Sequence, residues 1–212
     1  MIMTLRQWQN TIKDYNNLIV QASNKNGGDP KVKFPIGFNF NYIYNYKNNI
    51  QIGNHEKTVL LSITNTDKKR RKTGFNREKC LINLAKNNIH NKILDHKRYY
   101  RNLKKYKFIV SPEGNGIDCH RHYEALLSGS IPIVERNLHI VNKYKCCPIL
   151  YTKDYSEITE DYLNKVYEYM IDKVFDFSPL FLSFYNDNLQ KQIKENSNYW
   201  MQKYTGKVWY KN

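Results

Sequence analysis

Apolar positions follow two rhythms along this chain. Short unbroken runs at Lys57–Ile63 (K-T-V-L-L-S-I), Phe108–Val110, Ile131–Val134 and Pro148–Tyr151 predict buried strands. Ile89–Leu94 predicts a further short one. Apolar residues at steps of three and four predict helices over Phe75–Asn87, Tyr99–Tyr106, Leu138–Tyr144, Ile158–Asp172 (capped at Thr159) and Leu180–Tyr204. The same spacing joins Leu5, Trp8, Ile12, Tyr15, Leu18 and Ile19, and predicts an amphipathic helix over residues 4–22 that ends before Asn26-Gly27-Gly28-Asp29-Pro30. Residues 31–50 are aromatic and Asn-rich without a clean period, and read as an irregular lead-in. Strands alternating with helices predict an α/β fold, a Rossmann-like parallel sheet with helices on both faces and right-handed crossovers. The expected division is residues 1–50, an N-terminal helix and lead-in, and residues 51–212, the Rossmann-like domain with a C-terminal helical tail.

The stretch Lys107–Asn137 organises the rest, reading as strand, turn, helix, turn, strand. Ser111-Pro112 stops the first strand, and Glu113-Gly114-Asn115-Gly116 forms a glycine-punctuated loop. Asp118 is placed to cap the helix, which runs to about Ser128, with Gly129 as its C′ glycine. Pro132 stands near the start of the second strand, where proline is tolerated. Parallel sheets bind ligands at the carboxyl ends of their strands. The loops 64–73 and 111–117 both follow strands, so they are expected on one edge, and that edge is the expected site.

Glycines let a ligand approach the backbone, and a helix start offers unpaired N–H groups to phosphate. The loop matches neither the P-loop nor the G-x-G-x-x-G fingerprint, Cys119 standing at the last glycine position. Arg121 and Glu124, three apart, share a helix face, with Asp118 one step further up. On that face Arg121 can reach a diphosphate and Glu124 can accept two ribose hydroxyls. The alternative is an Asp118–Arg121–Glu124 ion-pair ladder on a solvated helix. His120 and His122 point about 200° apart and cannot chelate one metal together. They are expected to divide between packing and surface, His120, on the side of Glu124, being the better site candidate.

Composition changes the picture in one respect. The net charge is +15, but residues 1–110 hold 22 Lys and Arg against 6 Asp and Glu, while residues 111–212 are close to neutral. The excess peaks at Lys68-Lys69-Arg70-Arg71-Lys72, in the loop after the first strand of the sheet. That suits phosphate groups, nucleic acid or an acidic partner, or a merely solvated loop. Cys80, Cys119, Cys146 and Cys147 form no C-x-x-C pair, so neither a zinc nor a disulfide framework is expected. Without an apolar run of membrane length or a signal-like N-terminal segment, the expectation is a soluble, cytoplasmic protein.

The run from Ser111 to Val134 (S-P-E-G-N-G-I-D-C-H-R-H-Y-E-A-L-L-S-G-S-I-P-I-V) resembles the donor-site signature of GT-B glycosyltransferases, nearest the exostosin-like group. Weaker resemblance reaches back to Lys57, covering 57–151 as one Rossmann-like half. The resemblance implies a transferase that moves a sugar from a nucleoside diphosphate sugar to an acceptor hydroxyl, on a glycan or another molecule. It implies Arg121 at the donor phosphates, Glu124 at the ribose, and Gly114, Asn115 and Gly116 against the nucleotide-sugar. Arg121 and His120 are the catalytic candidates, and Arg70 and Arg71 are further donor-binding candidates. No cofactor or metal is expected, because GT-B enzymes usually need none and no Asp-x-Asp occurs. The second glutamate of many retaining members falls here on Gly116, which leaves the stereochemistry open. Fewer than sixty residues precede Lys57, too few for a full acceptor half, so the expectation is a reduced enzyme, a donor-binding half that needs a partner domain or subunit, or a non-catalytic relic. Two other classes remain: a non-catalytic nucleotide-sugar-binding protein and a basic nucleic-acid-binding protein.

Overall fold

The computed structural model describes residues 1–24, 34–46, 53–64, 66, 77–114 and 116–211. The basic cluster Lys68–Lys72, with Arg70 and Arg71, lies outside the described residues, as does Asn115.

The centre is a four-stranded parallel sheet of β2 (Lys57–Leu60), β3 (Tyr106–Val110), β4 (Ile131–Glu135) and β5 (Leu150–Thr152), in that order. Ile109 faces Leu60 on one side and Pro132 on the other. Every position of β4 is buried, so both faces are covered, which is why its sequence is continuously apolar up to its last residue. The flanking helices are α3 (Arg77–Lys86), α4 (His96–Leu103), α5 (His120–Leu127), α6 (Leu138–Lys143) and α7 (Glu160–Met170). Of these, α5 packs on β4, α4 on β3 and α7 on β2. Gly129 has φ +78 and ends α5 as expected, and Thr159 caps α7 by accepting from the Tyr162 amide. The Rossmann-like α/β architecture read from the sequence is therefore the one observed. Among the described residues no helix is long and apolar enough to cross a membrane.

The expected helix over 4–22 does not form. A strand, β1 (Ile2–Thr4), leads into a short α1 (Leu5–Gln9) opened by a capping box between Thr4 and Gln7. The chain then makes a 3₁₀ turn at Tyr15–Asn17 and runs extended, with Leu18 bridged to Phe181 and Val20 to Phe38. Leu5, Trp8, Leu18 and Ile19 are buried as their spacing suggested, but Ile12 is 88% exposed. Tertiary strand pairing overrides the helical period there. β1 pairs antiparallel with β6 (Val174–Asp176), a two-stranded sheet that no local pattern announced.

Three more expectations are corrected. The lead-in holds a helix, α2 (Phe40–Tyr46). Ile89–Leu94 is not a strand, because the Asn91 side chain occupies the place of a strand partner, bonding both the N–H and the C=O of Ile63 at 2.8 Å. The tail is broken into 3₁₀ turns at Ser178–Leu180 and Leu182–Phe184 before α8 (Asp187–Thr205), because Pro179 fits only a first turn and the Asn186 side chain caps a new helix.

Candidate donor site at the carboxyl edge

β3 ends at Val110, and the chain turns through Ser111, Pro112, Glu113 and Gly114 at the carboxyl edge of the sheet. Two neighbours hold this loop. Arg77 from α3 donates its Nε to the Glu113 carbonyl at 3.1 Å, and the Glu113 N–H donates to Glu135 Oε2 at 3.1 Å. The Gly114 N–H closes on the Gly116 carbonyl at 3.1 Å. Neither glycine has a positive φ, and a methyl on either would meet its neighbours only at ordinary contact distance, 3.5 Å or more. Nothing described in the fold requires glycine at these two places.

α5 starts with Cys119 as N-cap, without a side-chain cap, so its first amides are not closed off by a capping side chain. Asp118, expected to cap, instead lies inside the protein. It accepts from Lys143 Nζ at 2.5 Å, Tyr144 Oη at 2.6 Å and Tyr123 Oη at 3.0 Å. The pair is nearly dry, with side-chain exposures of 9% for Lys143 and 4% for Asp118. Burial penalises the Asp118 anion, but Lys143 and His122 outweigh it and hold its pKa below the usual carboxylate value. The surface ladder of Asp118, Arg121 and Glu124 is therefore not what forms; among the described residues no ion pair links the three.

Arg121 turns back over the end of β3. Its Nη1 donates to the Val110 carbonyl at a long 3.5 Å, and its guanidinium carbon lies 5.2 Å from the centroid of the Tyr99 ring. Burial works against this cation, but Tyr99, Cys119 and Glu124 more than compensate, and its pKa is raised. Glu124 is 4% exposed. Burial pushes its carboxyl up to about 7, against the stabilising effects of Arg121 and the Asn39 N–H.

Both histidines are occupied, His122 fully buried and His120 partly so. His120 bonds the Gly37 carbonyl through Nδ1 at 2.6 Å and meets the Gln21 amide through Nε2 at 3.5 Å. The carbonyl can only accept, so Nδ1 carries the proton. Burial lowers the His120 pKa. His122, fully buried, bonds Ser111 Oγ at 2.6 Å and lies 3.4 Å from Cys119 Sγ. Burial opposes charge on both groups, yet their attraction wins: the thiol pKa falls and the imidazole pKa rises.

Sequence reasoning missed Glu135, Lys143, Tyr99 and the Cys119–His122 pair. Glu135 did carry a signal, as a charged residue ending an apolar strand at the edge where ligands bind. It is 4% exposed, with Oε1 unpartnered, and burial raises its carboxyl to about 7. Tyr155, which donates to the Ile133 carbonyl at 3.4 Å, also acts on the Glu135 carboxyl and offsets part of that rise. Lys143 carried none, being 25 positions from Asp118. Among the described residues no group of three His, Cys, Asp or Glu could hold a metal ion.

A four-stranded parallel sheet flanked by helices defines a Rossmann-like α/β domain. The chain belongs to the RXYLT1 C-terminal domain family, whose model matches residues 34–197. That family is exostosin-like and glycosyltransferase-related, and the matched span takes in β2 to β5 and the whole of the site above. No curated protein matches the chain.

Proposed function

We propose that this chain is the donor-binding half of a GT-B glycosyltransferase, and that it holds a nucleoside diphosphate sugar at the carboxyl edge of β3 and β4. The observation that carries the reading is Arg121: a guanidinium without a carboxylate partner among the described residues, turned over the end of β3 from a helix with no side-chain cap, in a glycosyltransferase-related family. Arg121 and the first amides of α5 take the diphosphate, and they stabilise the charge that grows on it as the sugar leaves. Glycines 114 and 116 leave room for the donor against the backbone. Glu124 accepts from the ribose hydroxyls once the contact around Asn39 opens. His120, with a proton on Nδ1, offers Nε2 as a proton acceptor when the Gln21 amide is displaced. Arg70 and Arg71 draw the anionic donor in. An acceptor hydroxyl, on a glycan or another molecule, and an acceptor half from a partner domain or subunit complete the transfer. Donor binding in this reading needs no metal.

Calorimetric titration with UDP, GDP and their sugars tests it. Arg121→Ala should weaken diphosphate binding by about 1.5–3 kcal/mol, the range for hydrogen bonds to charged groups. Binding in excess EDTA should equal that with Mg²⁺. Undiminished affinity in the Arg121→Ala variant would overturn the assignment, and abolition by EDTA would overturn its metal-free form.

A further inference from the structure

We infer that Tyr99 is a further ligand contact of this site, its hydroxyl acting with the Arg121 guanidinium to hold the diphosphate; the inference rests on the reading just given. Tyr99 sits in the first turn of α4, where the helix comes down to the carboxyl edge of the sheet. It is 7% exposed, and its buried hydroxyl finds no acceptor for its proton among the described residues. The Arg121 guanidinium lies over its ring, 5.2 Å from the centroid. A guanidinium can donate but never accept, so the phenolic proton has nowhere to go in the free protein. An orphaned buried hydroxyl costs stability that a phenylalanine would not.

The chemistry around that proton defines what would take it. Arg121 and Tyr99 both present donors, and α5, which carries Arg121 in its first turn, starts without a capping side chain. The group that satisfies all three is anionic and rich in acceptors, and the non-bridging oxygens of a diphosphate meet that description. The aromatic face also keeps the guanidinium in place while its N–H groups reach the ligand, which reduces the freedom lost on binding. Two other buried tyrosine hydroxyls, those of Tyr15 and Tyr151, also lack partners. Among the described residues no cation stands over either ring, so they make natural controls.

The test is titration of UDP, GDP and inorganic pyrophosphate into wild type, Tyr99→Phe and Tyr151→Phe, together with the Tm of each free chain. Tyr99→Phe should bind pyrophosphate and the nucleotide about 10-fold more weakly, while its free Tm is unchanged or higher. Tyr151→Phe should change Tm in the same sense and leave affinity alone. Wild-type affinity in Tyr99→Phe, with binding still lost in Arg121→Ala, would overturn this inference and spare the reading beneath it. A weaker-binding Tyr99→Phe with a lowered free Tm would make Tyr99 a packing residue, and would also overturn it. If the wild-type chain binds none of the three probes, both fall together.

Discussion

Asp118 and Glu135 are both buried carboxylates beside the same loop, and their surroundings drive them in opposite directions. Asp118 has Lys143 against it, so its folded pKa lies below the unfolded value near 3.9. Its contribution is present above that value and is lost as pH falls through the folded pKa. Removing one partner of such a pair strands the other charge. Asp118→Asn should cost about 3–5 kcal/mol in urea unfolding at pH 7, and a loss below about 1 kcal/mol would mean that Lys143 finds water. Glu135 is in no ion pair among the described residues, burial outweighs the pull of His122, and its folded pKa, about 7, lies above the unfolded value. Its effect is reversed: stability is fully present below the unfolded pKa and drains away as pH rises through about 7. Glu135→Gln should unfold like wild type at pH 4 and be the more stable chain at pH 8, by a margin of order 3 kcal/mol. Equal denaturation midpoints at both pH values would show that the carboxylate ionises freely. None of this was legible in the residues alone. Asp118 looked like a cap because local reasoning supplies local partners, and burial of the loop is a property of the assembled sheet.

The glycines separate structural necessity from room for a ligand at the scale of the element. Gly37 has φ +69, and a Cβ there would run into the Ile19 carbonyl. It also presents the carbonyl that holds His120. Gly37→Ala should therefore destabilise by about 1–2 kcal/mol from the left-handed backbone alone, with the clash added. Gly114 faces no such constraint. Gly114→Ala should melt with wild type while losing affinity for UDP or GDP in calorimetry; intact affinity would remove the glycine loop from the donor site. The central strands, α5 and its glycine stop were readable because each is specified by its own residues. The N-terminal helix was misread because Leu18 and Val20 are extended by contact with Phe181 and Phe38, partners that a periodic pattern cannot name.

Across the whole molecule, residues 1–24 are stitched into the rest rather than laid on it. Trp8 is fully buried, stacks on Phe177 with ring centroids 4.2 Å apart, and donates its indole N–H to the Leu126 carbonyl at 2.7 Å, at the far end of α5 from the site. Gln9 donates to the Gly129 carbonyl at 2.8 Å in the same region. Trp8→Ala should cost about 3–5 kcal/mol by chemical denaturation. A loss near 1 kcal/mol would show the first helix to be a loosely held appendage. The sheet and its carboxyl edge were legible from alternation alone, whereas the pairing of β1 with β6 depends on two short segments that carry no pattern of their own.

That stitching has a consequence for the order in which the molecule can be made. Part of residues 2–23 finds its partners at the other end of the chain: β1 on Val174–Asp176, Val20 on Ser197, Ser23 on Trp200, and Leu18 on Tyr210, 192 positions away. A ribosome releases the early segment first and those partners last. At about 5–20 residues per second the interval is roughly 10–40 s. Through that time these partners are missing, while the strands from Lys57 to Thr152 already have one another. The parallel sheet can thus be standing, with Trp8 and Gln9 already docked on it through Leu126 and Gly129, while β1 and residues 18–23 still wait for the rest of their cover.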